Sequence, residues 1–383
     1  MVLTGARQVG KTTLARHFLP EAAYVTLDVP PQAELARLNP AELFRSRPAP
    51  LILDEVQYAP SLLRELKVRV DRQRAAGQYL VTGSQSFELM AGVSESLAGR
   101  AAILTLPALS LRELAGLSGL AAIDAVLWRG SYPQLWQQPE LDRELWLGSY
   151  VATYLERDVR NLLAVGSLRD FDRFLRACAL RVGQLLSYAE LARDVGVAPN
   201  TAKSWISVLE TSQQIFLLEP YHRARTERLV KSPKLYFSDS GLLTYLMGFT
   251  EARALPRHAL WGAVWENFVV SEIRKSFLDR GMRPPLWFWR PSSGDELDVL
   301  IEHAPERFVV IECKTAAQVN ASELRGLRSL RAEYGADSVT KAFVACRTES
   351  AYPLAAAGKI EAVPLAGHGG LLTRRELTGG RVG

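Results

Sequence analysis

Short, continuous apolar runs alternate with helical stretches over about the first 110 residues. The runs lie at residues 1–4, 24–28 (YVTLD), 51–54 (LILD), 79–82 (YLVT) and 102–106 (AILTL). Strands that are apolar throughout and separated by helices are typical of a parallel sheet covered on both faces. The pattern therefore predicts an α/β domain of the nucleotide-binding type over residues 1–110.

The next segment, residues 111–250, has a mainly helical pattern. Within it, SYAELARDVG and NTAKSWISVLETSQQI are two helical runs joined by a tight turn at residues 197–199. This arrangement resembles a helix-turn-helix, and the β-like runs IFLLEPY and KLYF that follow could form a wing. Residues 168–240 are therefore predicted to be winged-helix-like. The alternative is a role in packing or in coupling domains.

The spacing of apolar residues changes again over residues 251–383. A helical run, WGAVWENFVVSEIRKSF, precedes three strand-like runs, LWFWR, ELDVLIE and RFVVIECK, and a helix at 322–334 is followed by the strand KAFVAC. This order predicts a second α/β domain with its own core.

Composition narrows the class of protein. The chain has 383 residues, 48% of them hydrophobic, and its 46 Lys and Arg against 41 Asp and Glu give a formal charge of only +5. The basic residues are spread along the chain, so any nucleic-acid surface has to be local. Cys178, Cys313 and Cys346 are widely spaced, which argues against a disulfide framework or a cysteine zinc site. With no long apolar stretch and no signal peptide, we expect a cytoplasmic protein with no membrane partner.

A phosphate-binding motif lies between the first apolar run and a helical run. GARQVGKT, residues 5–12, has the form G-x-x-x-x-G-K-[ST]. We expect Lys11 to reach the β- and γ-phosphates and Thr12 to ligate Mg²⁺; the alternative is a coincidental glycine-rich turn. The residues predicted to hold the nucleotide here are Gly5, Ala6, Arg7, Gln8, Val9, Gly10, Lys11, Thr12 and Thr13.

The run LILDE ends in two adjacent carboxylates, as a Walker B element does. Asp54 is predicted to hold the Mg²⁺ shell and Glu55 to polarise the attacking water. At the end of YLVTGS, Thr82 or Ser84 could contact the γ-phosphate, or simply cap the next helix. Arg100 is a candidate arginine finger that acts on its own nucleotide or on that of a neighbouring subunit, in a homo-oligomer.

A second group of chemical residues lies near the C-terminus. Asp298 in ELD and the pair Glu312 and Lys314 in IECK form a D…E-x-K pattern, and alternation places Glu312 and Lys314 on one face of a strand. Glu266 on the preceding helix could add a carboxylate. Asp298 and Glu312 suit Mg²⁺, with Lys314 stabilising developing charge; the alternative is a structural salt bridge of Lys314.

Together these motifs resemble a known family. GARQVGKTTLA, LILDEVQ, LVTGSQSF, YLERDV, KSPKLYFSDSGL, WENFVVSEI and GDELDVLI…IECK are similar to the prokaryotic AAA-type ATPases that end in the domain of unknown function 4143. The resemblance implies ATP and Mg²⁺ as cofactors. It also implies a C-terminal fold similar to PD-(D/E)xK nucleases, with a site at Glu266, Asp298, Glu312 and Lys314. Relatives usually have a segment before the first strand, so an earlier start is expected.

Two functions remain open. One is an ATPase coupled to a nuclease-like domain that acts on DNA or RNA through residues 200–234 and the C-terminal domain. The other is a nucleotide-gated regulatory module that holds a nucleic-acid or protein partner without cutting it. The basic run HRARTERLVKSPK, which contributes Arg223, Arg225, Arg228, Lys231 and Lys234, is predicted to grip phosphates or to lie in a solvated loop.

Overall fold

The chain folds into two compact units. The computed structural model describes residues 1–83, 96–114, 119–155, 168–222, 232–291, 294–355 and 359–378. The N-terminal unit contains Met1–Ala108 with the short segments Tyr132–Gln134 and Leu209–Gln214. The C-terminal unit contains Leu109–Ser131, Leu135–Val208 and Ile215–Gly383.

A five-stranded parallel sheet forms the centre of the N-terminal unit. Its strands are β1 (Val2–Thr4), β2 (Ala23–Thr26), β3 (Leu51–Asp54), β4 (Tyr79–Thr82) and β5 (Ile103–Thr105). They lie in the order β2-β3-β4-β1-β5. The residues of β3 are all buried because helices cover both faces of the sheet. The predicted parallel α/β fold of this part of the chain is confirmed.

The helices of the N-terminal unit begin where the sequence supplies start signals. They are Lys11–Phe18, Pro30–Leu38, Pro40–Ser46 and Leu62–Arg72, with one 3₁₀ turn at Val56–Tyr58. Proline stands in the first turn of two of them, where its missing N–H is not needed. The side chain of Asn39 accepts a hydrogen bond from the Glu42 N–H and so caps the third helix.

The C-terminal unit begins with helices. These are Gly119–Arg129, Pro133–Gln137, Arg143–Tyr150, Leu168–Ala179, Tyr188–Val195, Pro199–Thr211, Ser240–Leu246 and Trp261–Leu278, and a later one is Gly326–Tyr334. Two of them, Pro133–Gln137 and Pro199–Thr211, extend across the boundary between the units. Shorter turns lie at Val151–Leu155, Ala252–Arg257, Ala321–Glu323, Ala336–Ser338, Leu371–Thr373 and Arg375–Thr378.

The predicted helix, turn and helix of the middle segment are present. Tyr188–Val195 is capped by the Ser187 side chain and ends at Gly196 in the left-handed conformation. The next helix begins three residues later, at Pro199. Strands β6 (Ile215–Leu218) and β7 (Lys234–Phe237) follow as an antiparallel pair. The winged-helix assignment itself remains a prediction, and residues 223–231, with most of the predicted basic run, lie outside the described residues.

A six-stranded mixed sheet makes up the rest of the C-terminal unit. Its strands are β8 (Leu286–Trp289), β9 (Leu297–Ala304), β10 (Arg307–Cys313), β11 (Val339–Ala345), β12 (Tyr352–Pro353) and β13 (Ile360–Val363). The order is β12-β13-β11-β10-β9-β8. Backbone hydrogen bonds from Tyr221 and to Glu219 join the end of β6 to Phe288 in β8. The β6–β7 pair is thereby held against this sheet.

Most predicted strands are found within a residue or two of their expected ends. The sequence missed β12 and β13, and it predicted a longer helix where the chain has a 3₁₀ turn and then Gly326–Tyr334. The division into domains 1–110, 111–250 and 251–383 remains a prediction. None of the helices in the described part of the chain has the length and apolar character needed to cross a bilayer.

Candidate functional site

The phosphate-binding motif forms a tight loop at the carboxyl end of β1. Gly5 has φ 150°, and a Cβ there would lie 2.3 Å from the carbonyl oxygen of Leu106. Only glycine therefore fits at this position. The loop continues through Gln8, with φ 64°, to Gly10, with φ 93°, and the helix Lys11–Phe18 begins immediately after it. The first amides of this helix are thereby presented at the loop, as an anion site requires.

Lys11 is buried within the loop. Its side chain is 5% exposed, and its Nζ donates hydrogen bonds to the carbonyl oxygens of Gly5 at 3.1 Å and Ala6 at 2.7 Å. These contacts hold the ammonium beside the loop that the sequence predicts to cradle phosphates. Ala6 and Val9 are buried, so any contact they make with a phosphate would come from their backbone N–H groups.

The carboxylate of Asp54 receives three hydroxyl groups. Thr12 Oγ1 lies 3.0 Å from Oδ2, Tyr24 Oη donates to Oδ2 at 2.7 Å, and Thr82 Oγ1 donates to Oδ1. Asp54 is only 3% exposed. A buried carboxylate needs such donors because it has lost its hydration. Burial, with the hydrogen bond to Asp54 as a further cause, raises the pKa of Tyr24 to about 12, so this hydroxyl remains a donor.

This donor set fits a magnesium ion. A threonine hydroxyl and a carboxylate in contact are oxygen ligands of the kind that Mg²⁺ prefers, and the phosphate loop lies next to them. The structure therefore brings Lys11, Thr12 and Asp54 together as the sequence predicts. Thr13 is the third residue of the same helix, one position after Thr12.

Glu55 follows Asp54 in an unusual backbone conformation. Its φ is 59°, in the left-handed region that non-glycine residues rarely adopt. The side-chain amide of Gln57 donates a hydrogen bond to the Glu55 carboxylate. Such strain is often found at functional positions. Ser84, the other candidate at this edge of the sheet, lies outside the described residues.

Arg100 is distant from this site. It lies three residues before Ile103, the first residue of β5, which pairs in parallel with Val2. Arg100 is therefore at the amino ends of the strands, whereas the phosphate loop follows the carboxyl end of β1. Its guanidinium binds both carboxylate oxygens of Asp71, at 2.7 and 3.0 Å. The expectation that Arg100 acts on the nucleotide of its own sheet is therefore wrong. A role toward a neighbouring subunit remains a prediction.

A cluster of charged residues lies in the C-terminal unit. Val299 on β9 pairs with Ile311 on β10 in the antiparallel ladder. Asp298 precedes Val299 and Glu312 follows Ile311, so the two acidic residues are neighbours on adjacent strands. Asp298 Oδ2 accepts a hydrogen bond from the Cys313 N–H at 2.8 Å, and Lys314 Nζ lies 3.0 Å from Glu312 Oε1. Lys314 therefore forms the salt bridge that was the structural alternative to a catalytic role.

The two carboxylates are crowded and largely out of water. Burial, together with the carboxylates of Glu266 and Glu312, raises the pKa of Asp298 well above its ordinary value. Burial raises the pKa of Glu312 to about 7, although Lys314 opposes the shift. Glu312 Oε2 is buried without a hydrogen-bond partner.

Glu266 is engaged by two residues of β7 that the sequence did not place here. Lys234 Nζ lies 3.0 Å from Glu266 Oε1, and Tyr236 Oη donates to the same oxygen at 2.5 Å. Lys234 is 3% exposed and also pairs with Glu296. The prediction that Lys234 grips nucleic-acid phosphates is therefore wrong, because its ammonium is buried among carboxylates.

The predicted metal site at this cluster fits poorly. In the described part of the chain, no three His, Cys, Asp or Glu side chains are grouped so that they could hold a metal ion. Asp298 and Glu312 lie beside each other, but the third carboxylate, Glu266, is engaged by Lys234 and Tyr236. Mg²⁺ usually needs more oxygen ligands than two carboxylates supply.

Comparisons with known proteins divide the chain into three segments. Residues 1–115 match a family described as an AAA domain. Residues 120–253 match the domain of unknown function DUF8612, and residues 261–367 match the domain of unknown function DUF4143. The last match agrees with the resemblance drawn from the sequence.

Two curated relatives are similar over most of the chain. They are the uncharacterized protein Rv2008c of Mycobacterium tuberculosis and the uncharacterized protein Mb2031c of Mycobacterium bovis. Each is 35% identical over 304 residues, which is 79% of this chain and 67% of the relative. The crystal structure of protein VC1899 from Vibrio cholerae aligns with 92% of this chain and 89% of its own, but at 13% identity and a TM-score of 0.17 it supports no conclusion.

Removal of the Tyr24 hydroxyl tests the arrangement around Asp54. Tyr24→Phe deletes one of three donors to Asp54. For the ATP hydrolysis that the phosphate-binding motif predicts, we expect the Mg²⁺ concentration at half-maximal rate to rise by about 10-fold, the lower end of the effect of losing a hydrogen-bond partner of a metal ligand. The matched control is Tyr79→Phe, since Tyr79 lies at the other end of the sheet and packs edge-on against Phe44. An unchanged Mg²⁺ requirement in Tyr24→Phe, measured by phosphate release, would show that this hydroxyl does not orient Asp54.

Proposed function

The chain belongs to the same family as the uncharacterized mycobacterial protein Rv2008c, with an AAA domain at its N-terminus and a DUF4143 domain at its C-terminus, and we propose that it binds and hydrolyses Mg-ATP. The observation that carries this proposal is the contact of Thr12 with the buried carboxylate of Asp54 beside the phosphate loop. When bound, Mg²⁺ would neutralise charge on the β- and γ-phosphates.

Each residue of the loop has a distinct task in this proposal. The amides that follow Gly10 would bind phosphate oxygens, favoured by the helix dipole. Lys11 would exchange its hydrogen bonds to the Gly5 and Ala6 carbonyls for contacts with the β- and γ-phosphates. Because these carbonyls already hold its ammonium close to the loop, little reorganisation is needed.

Glu55 is the residue that we assign to water activation. It follows the metal-binding carboxylate directly, and its backbone is fixed in the left-handed region. The Gln57 amide holds its carboxylate. A carboxylate positioned in this way would orient a water molecule toward the γ-phosphate and accept its proton.

The C-terminal domain, in our proposal, holds a partner without cutting it. The partner is a nucleic acid or a protein, bound through the C-terminal domain and the helix after the turn, where Asn200 and Lys203 are exposed. Lys234 is excluded as a contact because it is buried. The poor metal fit at Asp298 and Glu312 favours this alternative over cleavage.

The setting of the protein completes the proposal. The three cysteines are free thiols, which a reducing cytoplasm maintains. Assembly into a homo-oligomer would give Arg100 a neighbouring nucleotide to contact.

Two substitutions test ATP hydrolysis. Lys11→Ala should lower the rate of phosphate release by about 100-fold or more, since an ammonium no longer stabilises the phosphates. Glu55→Gln should lower it by about 100- to 10,000-fold while ATP binding persists, because only the proton acceptor is lost. The control is Lys67→Ala, which removes the other lysine of residues 1–110. Normal hydrolysis by folded Lys11→Ala would rule out the proposed site.

A nuclease assay on the same preparation tests the assignment of the C-terminal domain. Single- and double-stranded DNA and RNA would be incubated with the protein, ATP and Mg²⁺ or Mn²⁺. We expect no cleavage above that of Asp298→Ala and Lys314→Ala, because the carboxylates lack a third partner for a metal. Cleavage that both substitutions abolish would establish the nuclease instead.

A further inference from the structure

The buried cluster at the C-terminal unit already contains its own cations. Lys234 contacts Glu266 and Glu296, Arg290 lies 3.2 Å from a Glu296 oxygen, and Lys314 pairs with Glu312. Four carboxylates, counting Asp298, thus face three basic side chains. The protein itself balances most of the negative charge.

Lys234 is placed for this role by the strand that carries it. Alternation along β7 puts Lys234 and Tyr236 on one face, and both reach the same oxygen of Glu266. The side chain of Lys234 is 3% exposed, so its charge is stable only because the carboxylates surround it. Burial disfavours its charge, but Glu266, Asp298 and Glu296 outweigh burial and raise the pKa of Lys234.

One oxygen of each of the three carboxylates that a metal ion would need already has a partner in the protein. Glu266 Oε1 accepts from Lys234 and Tyr236, Asp298 Oδ2 accepts from the Cys313 N–H, and Glu312 Oε1 pairs with Lys314. Glu312 Oε2 is the buried carboxylate oxygen of the cluster that has no partner in the described structure. A divalent cation that used the remaining oxygens would lie close to the ammonium groups of Lys234 and Lys314, which would repel it.

We propose that Lys234 is the resident cation of this cluster, and that its ammonium takes the place which a divalent metal ion would need beside Glu266. Lys234 is thus a positioning residue: it fixes Glu266 and anchors β7 to the helix Trp261–Leu278. The Leu235 carbonyl in β7 also accepts a hydrogen bond from the Gly183 N–H. Fixing β7 therefore also holds the segment that precedes the helix-turn-helix. The inference rests on the proposal that the C-terminal domain does not cut its partner, and it is independent of ATP hydrolysis.

Titration with Mn²⁺, followed by the electron paramagnetic resonance signal of the free ion, tests this inference. The full chain is used without nucleotide, and every variant carries Asp54→Asn so that the N-terminal site does not contribute. With Lys234 intact we expect no uptake at millimolar Mn²⁺. Lys234→Met removes the ammonium at similar length and should gain one Mn²⁺ per chain, which Asp298→Asn in the same chain abolishes. Lys234→Arg keeps the charge and should gain none.

Two results would overturn the inference. The first is stoichiometric uptake with Lys234 intact that Asp298→Asn abolishes. The second is a folded Lys234→Met variant that binds no more Mn²⁺ than its parent. If Lys234→Met does not fold, Mn²⁺ uptake by the chain with Lys234 intact decides: no uptake supports the inference, and stoichiometric uptake that Asp298→Asn abolishes overturns it. Cleavage of DNA or RNA and hydrolysis of ATP are not read out in the Mn²⁺ titration, so a failure of the proposed function and a failure of this inference are seen in different experiments.

Discussion

A carboxylate removed from water has to be matched by hydrogen-bond donors or by positive charge, and both candidate sites of this chain are arranged around that constraint. Asp54 is matched by hydroxyl groups of Thr12, Tyr24 and Thr82. Hydroxyls are neutral, so they orient the carboxylate without cancelling its charge. Glu266 is matched by the ammonium of Lys234, which does cancel it. The first arrangement still favours a cation, whereas the second already contains one.

This difference gives the two carboxylate groups different functions. At Asp54, the remaining negative charge lies beside a loop suited to phosphates, so a divalent ion would have ligands on both sides. At Glu266, the same kind of charge serves to hold β7 in place. The presence of acidic residues is therefore a weaker guide to metal binding than the identity of the groups that surround them.

The placement of the phosphate loop and of Asp54 could be predicted from the sequence because the signals are local. The spacing from Gly5 to Thr12 determines the loop, and the end of an apolar strand determines Asp54. Tyr24 was missed, although strand alternation offered a signal, since Tyr24 lies on the same face of β2 as Thr26, the parallel neighbour of Asp54. The position of Arg100 could have been predicted, because it precedes the run at 102–106 and so lies at the amino ends of the parallel strands, whereas the phosphate loop follows the carboxyl end of β1.

The C-terminal site was predicted less well because its partners come from distant parts of the chain. Asp298, Glu312 and Lys314 lie on neighbouring strands, and alternation brings them together as expected. Lys234 was misassigned because KSPK follows a basic run, and sequence composition does not reveal that β7 is buried. Only the tertiary contact between β7 and the helix Trp261–Leu278 turns this lysine toward Glu266.

In the described part of the chain, we propose one metal site, at Asp54, and a metal-free cluster at Asp298. The number of Mn²⁺ ions bound per chain in the presence of a non-hydrolysable ATP analogue tests both parts at once. We expect one ion, which Asp54→Asn abolishes and Asp298→Asn does not affect. Two ions per chain, with one lost in Asp298→Asn, or a single ion that persists in Asp54→Asn, would contradict it.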